Sequence, residues 1–287
     1  MRLFVRATPV ALIVVALQAQ TSRQAAPAAE LKVSEPIISQ FEDGPPVPAG
    51  QKMVCGETGY FRFSAQGFKT SESGRVQLTG HAQVFDPRGV AIMPRDEVAI
   101  ATSLRDEDKD WKPFLKFQFQ LPPICRPGTY RIKYETTDDQ TKKTAAGEGT
   151  FGVAGKDVPA SDTLVIRNLG FYRSADDETP LKVPAYRSGD SVWMKFDVTG
   201  YKYGEQNAID VSYDVAVSVA DGNKPLFAQQ DAAVERSQAF YPQPWVPGSF
   251  SLTLQPNMKQ GDYNVEITAH DGIGKQTAKA VATFRVE

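Results

Sequence analysis

The sequence predicts an all-β protein of two tandem antiparallel β-sandwiches, and three observations support this fold class. First, residues 121–153 return 133 positions later as residues 254–286, with eleven of the thirty-three aligned residues identical and no gap. Average composition would give roughly one match in sixteen, so we interpret the chain as a duplication. Second, apolar residues alternate with polar ones in matching segments of both copies. Third, about seven short strands separated by turn signals fall in each copy, as is typical of a two-sheet sandwich.

The N-terminal residues are expected to lie outside the fold. Arg2 and Arg6 begin a segment whose apolar run, residues 10–17, is too short to span a bilayer, and either Ala16 or Ala19 suits the end of a cleavable signal. Residues 1–20 are therefore predicted to be a signal peptide, with an uncleaved N-terminal anchor as the alternative. Residues 21–30 are expected to form a flexible tail because they are polar and lack an apolar period. The protein is expected to be periplasmic or secreted, touching a membrane only through an uncleaved signal.

The first domain is predicted to cover residues 31–154. A strand interrupted at Pro36 is expected near its start, followed by a loop at residues 43–50. Alternation then predicts a series of half-buried strands. Their inward residues are Phe61, Phe63 and Ala65, then Val76, Leu78, Ala82 and Val84, then Leu115, Phe117 and Phe119, then Tyr130, Ile132 and Tyr134.

A second domain of the same plan is predicted at residues 163–287, after a short linker at residues 155–162. Its inward residues are Met194, Phe196 and Val198, then Val211, Tyr213, Val215 and Val217, then Phe250 and Leu252, then Tyr263, Val265 and Ile267. Sheets with one buried face and one solvent-exposed face are antiparallel. No stretch of the sequence predicts a helix convincingly.

Charge and cysteine content narrow the possible functions. The chain has 32 basic and 34 acidic residues and a net charge of -2, so nucleic acid is not an expected partner. Its two cysteines, Cys55 and Cys125, are an even pair, which in an oxidising compartment predicts a disulfide. Such a bridge would stabilise the fold by roughly 4 kcal/mol on the chain-entropy model.

Each copy ends in a shared pattern: proline, a glycine before a tyrosine, and a closing Thr-Phe-x-Val. The residues are Pro123, Gly128, Tyr130, Thr150, Phe151 and Val153, and in the second copy Pro256, Gly261, Tyr263, Thr283, Phe284 and Val286. This pattern resembles the end of immunoglobulin-like and fibronectin type III-like modules of bacterial exported proteins, over residues 31–287. The resemblance implies a structural corner at Tyr130 and Tyr263, whose hydroxyls would bond the backbone a few residues upstream. It carries no catalytic residues.

The cysteines depart from true immunoglobulin domains, because no core tryptophan follows Cys55 and Cys125 precedes Tyr130. In folds of the resembling family, Cys55 would precede the second strand and Cys125 would follow the fifth. These strands are antiparallel neighbours, so the resemblance implies a disulfide at the rim rather than through the core. The second copy has Ser188 and Met258 at the aligned positions and must hold this corner without a bridge.

Motifs that would carry chemistry are weak in this sequence. His81 and His270 are expected to be solvated, and no metal, phosphate or nucleophile motif surrounds them. Asp106, Asp108 and Asp110 alternate like a calcium loop, but Trp111 stands where the tight turn requires glycine, so a solvated loop is the default. The acidic run at residues 176–178 is interpreted in the same way. No catalytic residue, metal or cofactor is therefore predicted.

Aromatic residues in the divergent middle loops are the better candidates for binding. Phe240, Tyr241 and Trp245 lie among prolines in one loop, and Trp111 and Phe114 occupy the matching region of the first copy. Such side chains suit sugar rings, Pro-rich peptides or a partner surface. The alternative, which we favour, is that they fold back over an open edge of their own sandwich.

Three functions remain compatible with these features. The first is an exported, non-catalytic binding or structural module with a protein or glycan partner in the cell envelope. The second is a carbohydrate-binding accessory protein that uses the aromatic-proline loops. The third, less favoured, is a small hydrolase or inhibitor on the same scaffold, which would need a pocket with convergent polar groups.

Overall fold

Strands form nearly all regular structure in the residues that the computed structural model describes, 30–108, 110–222 and 224–287. We call residues 30–154 the N-terminal half and residues 163–287 the C-terminal half. The N-terminal half contains β1 (Lys32–Val33), β2 (Ile37–Ser39), β3 (Lys52–Val54), β4 (Thr58–Gln66), β5 (Arg75–Phe85), β6 (Asp96–Ser103), β7 (Phe114–Gln120), β8 (Gly128–Asp138) and β9 (Thr144–Ala154). The C-terminal half contains β10 (Val165–Tyr172), β11 (Ala185–Tyr186), β12 (Ser191–Thr199), β13 (Ile209–Val219), β14 (Pro225–Ser237), β15 (Val246–Thr253), β16 (Gly261–Asp271) and β17 (Gln276–Val286).

The all-β class is confirmed, since the only helical elements in the described ranges are two short 3-10 turns, Asp106–Asp108 and Glu205–Asn207. The predicted signal peptide and all but the last residue of the predicted tail lie outside the described residues.

The two halves repeat one strand order. In the N-terminal half, five strands form a sheet in the order β3-β9-β8-β5-β6, while β4 pairs with β1, β2 and β7 in a second sheet. The C-terminal half has the orders β11-β17-β16-β13-β14 and β10-β12-β15. Neighbouring strands are antiparallel except β3 with β9 and β11 with β17. The duplication seen in the sequence is therefore a duplication of topology.

Each half has a hydrophobic core that joins residues of both its sheets. In the N-terminal half, Phe63 of β4 packs on Tyr134 of β8 with ring centroids 4.3 Å apart. In the C-terminal half, Phe196 of β12 meets Tyr213 of β13 edge to face at 4.9 Å. The inward residues predicted for the N-terminal half are buried, and those of the C-terminal half are buried except Phe250 and Leu252, which are partly buried against its core. The predicted alternation is therefore confirmed, and it sets which face of each strand meets the core.

The pattern did not reveal β6 and β14, which form the same edge of the two five-stranded sheets. No residue of either strand is fully buried. The inner faces of both strands are only partly buried, with Val98 and Ile100 of β6 and Phe227 and Ala232 of β14 packed against the cores. Neither strand therefore shows a clear alternation of apolar and polar residues, and the sequence pattern does not mark it.

The segment between the halves, residues 155–162, is fixed by contacts with both. Val158 is buried, and its carbonyl accepts a hydrogen bond from Arg126 Nη1 of the N-terminal half at 3.4 Å. Lys156 Nζ lies 2.5 Å from Asp197 Oδ2 of the C-terminal half. Lys202 Nζ donates to the Asp162 carbonyl at 3.0 Å. The segment is therefore a packed part of the molecule.

Candidate functional site

Metal-ligating side chains do not converge anywhere in the described residues, where no three His, Cys, Asp or Glu side chains are grouped to hold an ion. The predicted acidic loops instead cap their own turns. Asp108 accepts a hydrogen bond from the Arg105 amide at 3.2 Å. The Thr179 amide donates to Asp177 at 3.1 Å, and this bond is the main cause that lowers the pKa of Asp177. Carboxylates used in this way stabilise local backbone.

The two histidines each contact one carboxylate on the solvent side of a sheet. His81 Nδ1 is 3.7 Å from Glu97, and His270 Nε2 is 2.8 Å from Asp214. Thr277 Oγ1 lies 3.5 Å from His270 Nδ1, so a hydroxyl, an imidazole and a carboxylate follow one another as in acyl-transfer sites. The His270 side chain is partly exposed on an open sheet face, whereas such a nucleophile acts in a site that excludes water. The arrangement is a surface contact.

The disulfide forms between Cys55 and Cys125 at the rim of the N-terminal half, as predicted. Cys55 precedes β4 and Cys125 follows β7, and these strands are antiparallel neighbours with Thr58 opposite Gln120. In the C-terminal half, Ser188 Oγ donates to the Met258 carbonyl at 3.0 Å, so a hydrogen bond occupies the corner that the bridge closes in the other half. The bridge indicates that the chain folds in an oxidising compartment.

The two structural tyrosines make equivalent contacts. Tyr130 donates its hydroxyl hydrogen bond to the Arg126 carbonyl at 2.9 Å, and Tyr263 donates to the Lys259 carbonyl at 2.7 Å. Each bond reaches four residues upstream, which is the contact that a corner tyrosine makes. Both tyrosine side chains are buried in their own core.

The five candidate binding aromatics separate into two groups. Phe240, Trp111 and Phe114 are exposed, at 52%, 37% and 47% of their surface. Tyr241 and Trp245 are buried, so the hypothesis that they present a binding surface is wrong. The favoured alternative is also wrong for Tyr241, because it packs in the core of the opposite half rather than over its own.

Tyr241 forms the centre of a junction between the halves. Its side chain is 6% exposed and lies in the hydrophobic cluster of the N-terminal half. Its hydroxyl donates to Asp86 Oδ2 at 3.0 Å. Asp86 is buried, and its other oxygen accepts the amides of Arg88 and Val90 at 2.8 Å each. A carboxylate fixed by its own turn therefore receives its third hydrogen bond from the other half of the molecule.

The loop that carries Tyr241 is held in shape by its neighbours. The Gln243 carbonyl accepts hydrogen bonds from the hydroxyls of Tyr201 and Tyr203 at 2.5 and 2.6 Å. Burial raises the pKa of Tyr201 and Tyr241, and the nearby Asp86 charge raises that of Tyr241 further. These hydroxyls therefore remain protonated donors at physiological pH.

Asp86 and Asp197 are buried residues of the junction that the sequence analysis did not single out. Asp86 lies in the turn after β5, and Asp197 lies within β12. Asp197 is buried and accepts hydrogen bonds from Lys156 Nζ and, at 2.7 Å, from Asn168 Nδ2. Asp197 shares its side of β12 with Trp193 and Lys195, where a polar residue is expected, so the sequence pattern gave no signal of its burial.

Two cavities accompany these features. A groove of about 420 Å³ lies on the solvent side of the N-terminal five-stranded sheet. Its charged side chains pair with one another, Arg95 with Glu135 and Lys133 with Glu148, so it offers little unpaired charge to a ligand. A cleft of about 180 Å³ opens between β14 and β15, and it reaches the junction through Ile124 and Gln243. We call this second space the junction cleft.

Comparisons with known proteins give no family for this chain. No protein-family model matches it, and no curated protein shows significant sequence similarity. Among solved structures it is similar to the C-terminal domain of the Streptococcus pyogenes antigen I/II-family protein AspA, with 10% identity over 88% of this chain and 99% of that one. The TM-score is 0.29, a level at which the likeness carries no argument about fold or function. The described residues include no helix with the length and apolar character of a membrane span.

Proposed function

We propose that this chain is an exported, non-catalytic binding or structural module made of two tandem immunoglobulin-like sandwiches, at residues 31–154 and 163–287. The repeated strand order supports the sandwich assignment, since two mostly antiparallel sheets share one core in each half. The predicted signal peptide and the disulfide support a periplasmic or secreted location. The near-balanced charge supports a protein or glycan partner in the envelope over nucleic acid.

The observation that carries this proposal is the junction. Tyr241 is buried in the core of the N-terminal half, and residues 155–162 are pinned by Lys156 and Val158. A molecule whose halves are locked together presents its surfaces in one fixed geometry. Pre-organisation of this kind lowers the entropic cost of binding, which suits a module that holds a partner or spaces other proteins.

We further propose that the chain is non-catalytic. The charged side chains lining the 420 Å³ groove pair with one another, Arg95 with Glu135 and Lys133 with Glu148. A hydrolase would need convergent polar groups in a pocket that excludes water. A turnover abolished by substituting a residue of this chain would overturn this part of the proposal.

Site-specific photo-crosslinking in the producing cells tests the binding function. A photoreactive phenylalanine analogue is placed at the exposed Phe240 or Trp111, and at Val183, an exposed apolar control on another loop. The proposal predicts one discrete adduct with an envelope protein or glycan from at least one aromatic site and none from Val183. Equal, diffuse labelling from all three sites would contradict it.

A second candidate, carbohydrate binding, is favoured by the exposed aromatics of the N-terminal half. Trp111 contacts Phe68 edge to face at 6.2 Å, and the Arg62 guanidinium lies 5.8 Å from the Phe114 ring centroid. Rings held in this way offer faces to a sugar at low entropic cost. Glycan-array binding that is lost with Trp111→Ala and kept with Phe41→Ala, an exposed control, would support this function. Binding unaffected by either change would exclude these rings as the sugar site.

A further inference from the structure

β14 is a long edge strand with one side unpaired. It spans Pro225–Ser237 and pairs only with β13 within the described part of the chain. Its outer side therefore presents a row of amide and carbonyl groups that no described backbone group satisfies. Such an edge is a template for another strand unless the sequence protects it.

The C-terminal part of this edge contains no proline or lysine, and its pairing with β13 is regular. Asp231 adopts a left-handed conformation with φ of 44°, and its amide donates to Asp214 Oδ1 at 2.9 Å, forming a bulge that divides the strand. Residues 232–237 follow the bulge as a regular segment without lysine or proline. Val234 within this segment is exposed over 44% of its surface. The bulge therefore disrupts strand pairing at one part of the edge and leaves residues 232–237 free to pair with another strand.

The junction cleft lies behind this free segment. Its apolar lining includes Val211, Tyr213, Ala233, Val246 and Pro247, from both sheets of the C-terminal half. A strand added to β14 would turn alternate side chains toward this cleft, since side chains alternate along a strand. The cleft is continuous with the established interface between the halves, because Ile124 of the N-terminal half also lines it.

Glu235 gives this cleft a charge preference. It is partly buried and lines the cleft, and it makes no salt bridge with any residue that the structure describes. Its neighbour Arg236 is already paired with Asp210, the Nε–Oδ1 distance being 2.9 Å. A carboxylate in this position favours a basic group on whatever enters the cleft.

We propose that residues 232–237 and the junction cleft dock an extended peptide strand of a partner protein, with alternate apolar side chains and one lysine or arginine facing Glu235. This inference rests on the proposed binding function and names its partner class. A second copy of this chain fits the site less well. Pairing β14 with itself would bring the acidic Asp231 and Glu235 of two chains together while both arginines stay engaged with Asp210.

A charge-swap titration tests the proposal with the full chain. The probe is a capped synthetic peptide of about eight residues that alternates threonine and valine, with one central valine replaced by lysine. We expect the peptide to bind and to slow amide exchange at residues 232–237. Glu235→Lys is expected to weaken binding about tenfold, and a peptide carrying glutamate in place of lysine is expected to recover it. Thr102→Lys, at the aligned position of β6, serves as the matched control and should leave binding unchanged.

Three results would overturn the proposal. The first is absence of peptide binding to the wild-type chain. The second is equal binding of a peptide with proline at each position whose amide would face β14, since these prolines remove every backbone donor to the edge. The third is a Glu235→Lys variant that binds the lysine peptide as well as the wild-type chain does and does not prefer the glutamate peptide. Because the photo-crosslinking experiment uses neither the peptide nor β14, failure here is distinguishable from failure of the binding function itself.

Discussion

Replacing Tyr241 by alanine is expected to uncouple the two halves of the molecule while each half stays folded. A buried aromatic side chain covers about 150–250 Å², which at about 25 cal/mol per Å² corresponds to roughly 4–6 kcal/mol as an upper bound. Large-to-small substitutions of buried aromatics cost about 3–5 kcal/mol. We expect Tyr241→Ala to lower the free energy of unfolding by about 3–5 kcal/mol, because Tyr241 is 6% exposed and lies in the core of the N-terminal half.

Tyr241→Phe isolates the hydroxyl from the ring. It keeps the packing but removes one of the three hydrogen bonds that Asp86 receives. A buried acceptor left unsatisfied costs about 1–3 kcal/mol, so this variant is expected to lose less than the alanine variant. The difference in unfolding free energy between Tyr241→Ala and Tyr241→Phe measures the contribution of ring packing.

Urea unfolding followed by hydrogen exchange of each half measures these losses. With a dependence of the unfolding free energy on urea of about 1–3 kcal/mol per M, a loss of about 3–5 kcal/mol lowers the unfolding midpoint of the less stable half by roughly 1–5 M. Phe240→Ala is the matched control, because the neighbouring side chain is exposed over 52% of its surface and should change stability by about 0.5 kcal/mol or less. The reasoning is refuted if Tyr241→Ala shifts the midpoint no further than Phe240→Ala.

Three further predictions concern the remaining features. Replacing both cysteines by serine is expected to lower the unfolding free energy of the N-terminal half by up to about 4 kcal/mol. Ser188→Ala is expected to lower that of the C-terminal half by only about 1 kcal/mol. Urea unfolding measures both values, and equal losses would contradict this prediction. Tyr263→Phe is expected to cost about 1–3 kcal/mol in the C-terminal half, and an unchanged midpoint would remove its corner role. Burial raises the pKa of Tyr186 from 10.0 to about 12, so its contribution to stability is present below pH 10 and lost as the pH rises toward 12. Tyr186→Phe should abolish that part of the alkaline loss, and an identical alkaline profile would contradict the assignment.

The sequence predicted those parts of the fold in which one face of a strand is buried. Phe61 and Phe63, for example, alternate with polar residues, and the structure buries both. The disulfide was predictable from the even pair of cysteines, and its rim position from the strand adjacency that the resemblance to immunoglobulin-like modules implies. Local pattern sufficed in these cases because each strand meets its core through a simple period of two.

The junction and the open edge were not predictable from local pattern. A tyrosine followed by a proline-rich loop gives the same sequence signal whether it is exposed or docked on another part of the chain, so the role of Tyr241 depends on tertiary structure alone. Asp86 lies in a turn whose sequence resembles many other short turns, so it does not indicate the contact with Tyr241. β14 lacks clear alternation because its inner face is only partly buried, and it remains available to a partner because its outer edge is unpaired in the described residues.

The central claim, that the two halves form one rigid body, is tested most directly by residual dipolar couplings of the backbone amides of the full chain in a dilute aligned medium. The account predicts that one alignment tensor fits the couplings of residues 30–154 and 163–287 together, and that Tyr241→Ala requires two. Two distinct tensors in the wild-type chain would contradict it.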